Sequence, residues 1–332
     1  MEETGIDPGT ATKRKRKHRE FDFSRYPKHR IALMFLYFGW EYDGLVEEEL
    51  NKALIKTKLI ENWENCGWNR SGRTDKGVSA FKQIASLIVR STGGHENALC
   101  ATDGSGGTAT AEKQELPYTK MLNGTLPKSI RVLAWAPVPE DFSARHQCTQ
   151  RTYTYLFPKG NFNIQAMQKA CDLLVGEHDF RNFCRIDMNK ERVEMSYIIS
   201  ELLDINLTPS KPAYGLSPAS PLCLFDCAYD GIELSWRWDT ESLKSVRAHI
   251  LKLWAEYQSR SIMLRNMAES IGLLITDEDC GTNALNGYLR PAVTSNKVYV
   301  PIRKRGTCDA LELKQEKIRR KMAKLKNTGL PS

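Results

Sequence analysis

At 332 residues, with 41% apolar and 27% charged content, the chain is long enough for about two domains with sizeable cores and reads as globular. No apolar run approaches the ~18 residues of a bilayer-spanning helix, and residues 1–18 have no apolar stretch of the kind a secretory signal needs. The net charge of +8 is confined to two ends, +3 over residues 1–19 and +7 over 303–326, which leaves −2 between them; charge alone therefore implies basic tails and no sharper function.

Residues 1–29 read as a disordered basic arm. Its KRKRKHR run at 13–19 suits nuclear localisation or phosphate contact, and suits a solvated tail equally well. From Ile31, IALMFLYF is too apolar for a one-sided sheet and predicts a strand buried on both faces, ending at a turn Glu41-Tyr42-Asp43-Gly44. VEEELNKALIKTKL predicts a helix with Glu47, Glu48 and Glu49 at its positive end. IASLIV at 84–89 predicts a second strand. The Gly/Ser/Thr-rich segment 91–116 has no periodicity and reads as a flexible insertion.

Order resumes with a helix at YTKMLNGTLP, a strand at RVLAWAPV, the loop PEDFSARHQC and the strand RTYTYLF. Tyr153, Tyr155 and Phe157 share one face of that strand. Met167, Ala170, Cys171 and Leu174 give residues 166–176 an apolar stripe, with Gly176 as the stop. Two more helices are expected over about 241–258 and about 310–326. The fold class is α+β, divided as a basic arm 1–29, a domain 30–150 holding the insertion, a second domain 151–302, and a basic helix and tail 303–332. Nine cysteines with no CxxC pair point to buried free thiols in an intracellular protein, and away from a disulfide framework or a zinc ribbon.

The densest chemistry lies in Ser71-Gly72-Arg73-Thr74-Asp75-Lys76-Gly77-Val78-Ser79-Ala80. Two glycines bracket a cation, a hydroxyl and an acid in a tight loop ahead of an apolar strand. Asp75 there could cap a turn through the N–H of Gly77 or Val78. A carboxylate between Arg73 and Lys76 equally suits a nucleophile. Residue types leave both readings open.

GRTDKGVSA at 72–80 resembles the catalytic loop of the tRNA pseudouridine synthase family typified by bacterial TruA. LNGTLP, RVLAWAPVPEDFSARH, RTYTY and GEHDFRNFC follow in that family's order, after a YDG at 42–44 like its first-strand signature. FDFSRYP, HDFRNFCRID and the basic end look most like the eukaryotic branch, which acts on uridines 38 and 39 of the tRNA anticodon stem-loop. The resemblance implies two tandem related sheet-and-helix domains, tRNA as the partner, no membrane, no metal or cofactor, and a place in nucleus and cytoplasm. It implies that Asp75 is the nucleophile, attacking ribose C1′ or uracil C6. Tyr153 stacks on the uracil and acts late as a base, and Arg73 fills the space of the flipped base. Phe142, Arg145, His146 and Leu222 contact the substrate.

The pattern breaks in two places. After Tyr42-Asp43-Gly44 the family has a loop where this chain passes straight into the helix. Between 184 and 230 there is no Phe-x-x-His-x-x-Arg helix, whose Arg pairs with the catalytic Asp in the family. Lys82 also stands where relatives have Gly. A depleted second domain is therefore expected, and with it an alternative function: a catalytically impaired tRNA-binding protein derived from such an enzyme.

Overall fold

The most apolar stretch of the chain is its central strand. β1 (Lys28–Tyr37) is buried at every position from Ile31 to Tyr37. Side chains alternate across a strand, so β1 feeds two cores. Ile31, Leu33, Phe35 and Tyr37 enter one, covered by residues of α1 (Val46–Lys56) and α2 (Tyr118–Asn123). Ala32, Met34 and Leu36 enter the other, with Phe142, Ala144, Tyr229 and Val246. The computed structural model describes residues 21–41, 45–93, 114–160, 162–183, 202–212, 217–274, 306–309, 313, 316–317 and 319–320.

β1 lies between β3 (Ser79–Arg90) and β4 (Ile130–Pro137), antiparallel to both, with Leu33 opposite Ala85 on one side and Trp135 on the other. The seven-stranded sheet has the order β5-β6-β3-β1-β4-β7, where β5 is Gln150–Tyr155, β6 Leu222–Ala228 and β7 Arg237–Trp238; β2 (Asn69–Arg70) pairs with β3. β6 runs parallel to β3, with Ser79 opposite Cys223 and Ala80 opposite Leu224. This is a mixed sheet with helices, compatible with an α+β fold.

The chain divides into two compact units, Met1–Thr154 with Cys223–Leu253, and Tyr155–Leu222 with Trp254–Ser332. The first holds both cores. In the second, Asn182 is buried and donates to the carbonyls of Leu202 and Thr208 at 2.8 and 2.6 Å, next to buried Phe180. Pro212 bridges to Thr307, and Cys308 N donates to Lys211 O at 2.8 Å.

Several boundaries differ from the expectation. α1 stops at Lys56, because the Thr57 hydroxyl donates to Ala53 O at 2.7 Å and Lys58 turns left-handed at φ 56°. α3 (Ile164–Asp172) starts earlier, capped by Asn163, which accepts from Ala166 N at 2.9 Å; its Ile164 and Met167 are exposed. α4 (Thr240–Gly272) runs far past 258, since neither Gly nor Pro interrupts it before Gly272. The insertion is narrower than 91–116. Glu115 accepts from Ser91 Oγ at 2.5 Å, Thr92 N at 3.1 Å and Leu116 N at 2.8 Å, which ties both of its ends to the body. Of the six described free cysteines only Cys66 is buried, and Cys171 is exposed. Residues 1–20, the turn at 42–44, the segment 94–113 and most of the helix expected at 310–326 lie outside the described residues. Among the described residues no helix is long and apolar enough to cross a membrane.

Candidate active site

The Asp75 loop leaves β2 at Arg70 and enters β3 at Ser79, and its backbone is held from several directions. Ser71 N donates to Ile84 O at 2.8 Å. The Gln83 amide donates to Gly72 O at 2.8 Å, and its oxygen accepts from the Ser71 hydroxyl. The Tyr37 hydroxyl lies 2.7 Å from Thr74 Oγ1. Burial pushes the Tyr37 phenol up, against the hydrogen bonds of Thr74 and Gln83. Val78 N donates to Asp75 O at 3.1 Å, and Gly77 takes φ 89° to close that turn. From the β1 side, Gly39 approaches so closely that a Cβ on it would sit 2.3 Å from Val78 O, and its N–H donates to Ser79 Oγ at 2.9 Å.

These bonds remove one of the two readings of Asp75, the turn cap made by its side chain. Its backbone carbonyl makes the turn, while its carboxylate makes no hydrogen bond or ion pair among the described residues. Arg73, Asp75 and Lys76 all expose their side chains from a pinned backbone. A cleft of about 280 Å³ opens beside Asp75, lined also by Tyr37, Gly39, Trp68, Arg70, Thr74 and Glu47. Glu47 accepts from Trp68 Nε1 at 2.8 Å and pairs with Arg70 at 2.9 Å, so the Arg70 charge is already engaged.

β5 delivers the next residues. Tyr153 is 45% exposed, and its hydroxyl lies 3.8 Å from where a Cβ on Gly72 would be. Burial pushes its phenol up, with Arg151 as the opposing influence. Tyr155 instead donates to Pro218 O at 3.0 Å and sits against Phe157. Arg151 donates to Ser71 O through Nε at 2.8 Å and also through Nη2, which reaches Arg145 O at 3.2 Å.

The loop after β4 separates its three candidates. Arg145 and His146 are exposed, whereas Phe142 is only 2% exposed and packs on Tyr229 at 5.5 Å. Phe142 therefore anchors the loop from beneath instead of facing an RNA. Leu222 opens β6 half-buried, and Leu224 beyond it is fully buried. Lys82 pairs with Asp226 of β6 at 3.2 Å.

Sequence reasoning did not find Tyr37, Gln83, Arg70 or Arg151. A signal existed for Arg151, which alternation places on the face of Tyr153, and for Gln83, a polar residue inside an apolar strand. Among the described residues no group of three His, Cys, Asp or Glu could hold a metal ion.

No family model matches the chain. It is 38% identical to the probable tRNA pseudouridine synthase tag-124 of Caenorhabditis elegans, across 95% of this chain and 94% of that protein. It is 31% identical to the tRNA pseudouridine(38/39) synthase of Homo sapiens, across 94% and 81%. With the tRNA pseudouridine synthase A of Methanosarcina mazei it shares 31% across 54% and 61%. The first alignment runs over 393 positions against 332 residues in the whole chain, so at least 61 positions (393 less 332) have no counterpart here. The relative is therefore longer than this chain over the aligned region. Identity at this level, across nearly the full length of both proteins and with the Asp75 loop intact, means that the chain belongs to the family of tRNA pseudouridine synthases, which are isomerases.

Proposed function

We propose that this chain converts uridine to pseudouridine in tRNA at positions 38/39, the positions for which its human relative is named. The observation that carries the reading is Asp75 itself, an exposed carboxylate on a fixed backbone beside a cleft, with the Tyr153 hydroxyl of β5 close to Gly72 of the same loop. The target uridine leaves its stack, at a cost of a few kcal/mol, and Arg73 fills the vacated space. Stacking on Tyr153 offsets about 1–3 kcal/mol of that cost. The Asp75 carboxylate forms a bond to ribose C1′, or to uracil C6, and the C1′–N1 bond breaks. The base turns, C5 bonds to C1′, the bond to Asp75 breaks, the C5 proton goes to a base, and N1 takes up a proton. In this reading Tyr153 takes that proton, although burial favours its neutral phenol. Arg145 and His146 meet phosphate or base from their exposed loop. Two related domains in tandem, the second depleted, are the parent architecture that this reading implies.

Tritium release from tRNA labelled at uracil C5 tests the activity, with a control tRNA carrying cytidine at 38 and 39. Release from the first and none from the second supports the reading; no release at any enzyme concentration rejects it. One observation favours a second reading, a slow enzyme that mainly binds tRNA. The family's partner for the catalytic Asp comes from a helix whose motif is missing between 184 and 230, and the Asp75 carboxylate has no partner among the described residues. Tight tRNA binding without tritium release is its signature.

A further inference from the structure

Arg151 sits two residues before Tyr153, on the same face of β5. Its guanidinium grips carbonyls from two different segments, Ser71 O through Nε and Nη2, and Arg145 O through Nη2. Ser71 opens the loop that carries Asp75, and it is fully buried, where an unpaired carbonyl is costly. Arg145 belongs to the exposed loop with His146. Gly72 eases the fit, since a Cβ there would stand 3.3 Å from Arg151 Nε and push the guanidinium by a few tenths of an ångström.

We propose that Arg151 is a positioning residue that locks the Asp75 loop, the Arg145 loop and Tyr153 into one geometry. Nucleophile, stacking ring and phosphate contact then reach the flipped uridine together. The inference rests on the uridine-isomerase reading above for its catalytic consequence, but not for the clamp itself. A planar guanidinium offers donors in a fixed fork, which a lysine ammonium cannot reproduce. Such a site has a tolerance of about 0.5 Å. A displacement of about 1 Å costs roughly a hundredfold in rate.

The test uses the full chain with Arg151→Met and Arg151→Lys, read in two ways. Without RNA, hydrogen exchange follows the amides of Ser71, Val78 and Gln147, which are bonded to Ile84 O, Asp75 O and Ser143 O. In Arg151→Met these exchange about 10- to 100-fold faster, while β1 and β4 keep wild-type rates and Arg151→Lys falls between. Single-turnover product formation falls by a similar factor, with the Kd for tRNA within about threefold. Wild-type exchange in both loops of Arg151→Met overturns the proposal. So does faster exchange with unchanged turnover, which makes Arg151 a structural tie only. If Arg151→Met also loosens β1, the Lys variant decides: loops faster with β1 unchanged supports the clamp, and loops and β1 moving together overturns it. A wild-type chain that forms no product counts against the isomerase reading, and the exchange data still decide the clamp.

Discussion

The Tyr37 hydroxyl lies 2.7 Å from Thr74 Oγ1, so the buried central strand holds the residue immediately before Asp75. Tyr37 is 3% exposed, and its ring is fixed among Phe35 and its neighbours. The hydroxyl thereby carries the rigidity of the core out to a loop whose working side chain is in solvent.

Tyr37→Phe should cost about 1 kcal/mol of stability and lower turnover several-fold, with tRNA binding little changed. It should also change the response to alkali. The folded phenol is raised above its ordinary value of 10.0, so its contribution to stability is complete below about pH 10 and is lost as the pH rises through the higher folded value. Denaturant midpoints measured from pH 8 to 12 should fall more steeply above pH 10 in wild type than in Tyr37→Phe. Parallel curves would mean that Tyr37 does not titrate in this way.

Gly39→Ala should be severe for a glycine substitution with ordinary backbone angles. The added methyl would lie 2.3 Å from Val78 O and 2.6 Å from Gly77 C, both backbone atoms of the turn that carries Asp75. Overpacking of this kind costs about 1–3 kcal/mol. A thermal melt and a turnover assay should both drop. An unchanged melt would show that the loop yields freely, against the pinning described above.

The basic end supplies most of the positive charge, +7 over 303–326, against −2 for residues 20–302. Deleting 303–326 should weaken tRNA affinity and flatten the plot of log K against log salt, by about 0.7–0.9 for each lost phosphate contact. Equal slopes for the two proteins would make the segment a solvated tail.

Installing a family-like strand and Phe-x-x-His-x-x-Arg helix between Met195 and Ile199 should raise turnover, because an Arg would then orient the Asp75 carboxylate. It should also raise the melting temperature, as new apolar area is buried at about 25 cal/mol per Å². Equal turnover and an equal melt in the two proteins would show that the shortened chain lacks nothing its site requires.

Much of this was legible in the sequence because the signals were local. IALMFLYF has to be buried on both faces, and β1 is. GRTDKGVSA marked a candidate site, and its loop has a pinned backbone with Asp75 exposed. What the sequence hid depends on packing. The apolar stripe of α4 is interrupted by the polar stretch 258–261, yet the helix continues to Gly272 because neither Gly nor Pro breaks it before then. Alternation and polarity mark Arg151 and Gln83 as unusual, but the carbonyls of Ser71, Arg145 and Gly72 that they bind leave no residue pattern to read. Phe142, placed among the RNA contacts by its motif, turned out to be core because the loop folds back over Tyr229.

The central claim is that Asp75 is the nucleophile. The direct measurement is pseudouridine formation in tRNA by wild type, Asp75→Ala and Asp75→Asn, alongside tRNA binding by gel shift. Losing a nucleophile removes several decades of rate, so both variants should form product at below roughly 1% of the wild-type rate. The exposed carboxylate makes no hydrogen bond or ion pair among the described residues, so fold and tRNA affinity should be retained. Turnover above roughly 1% in either variant would contradict the account.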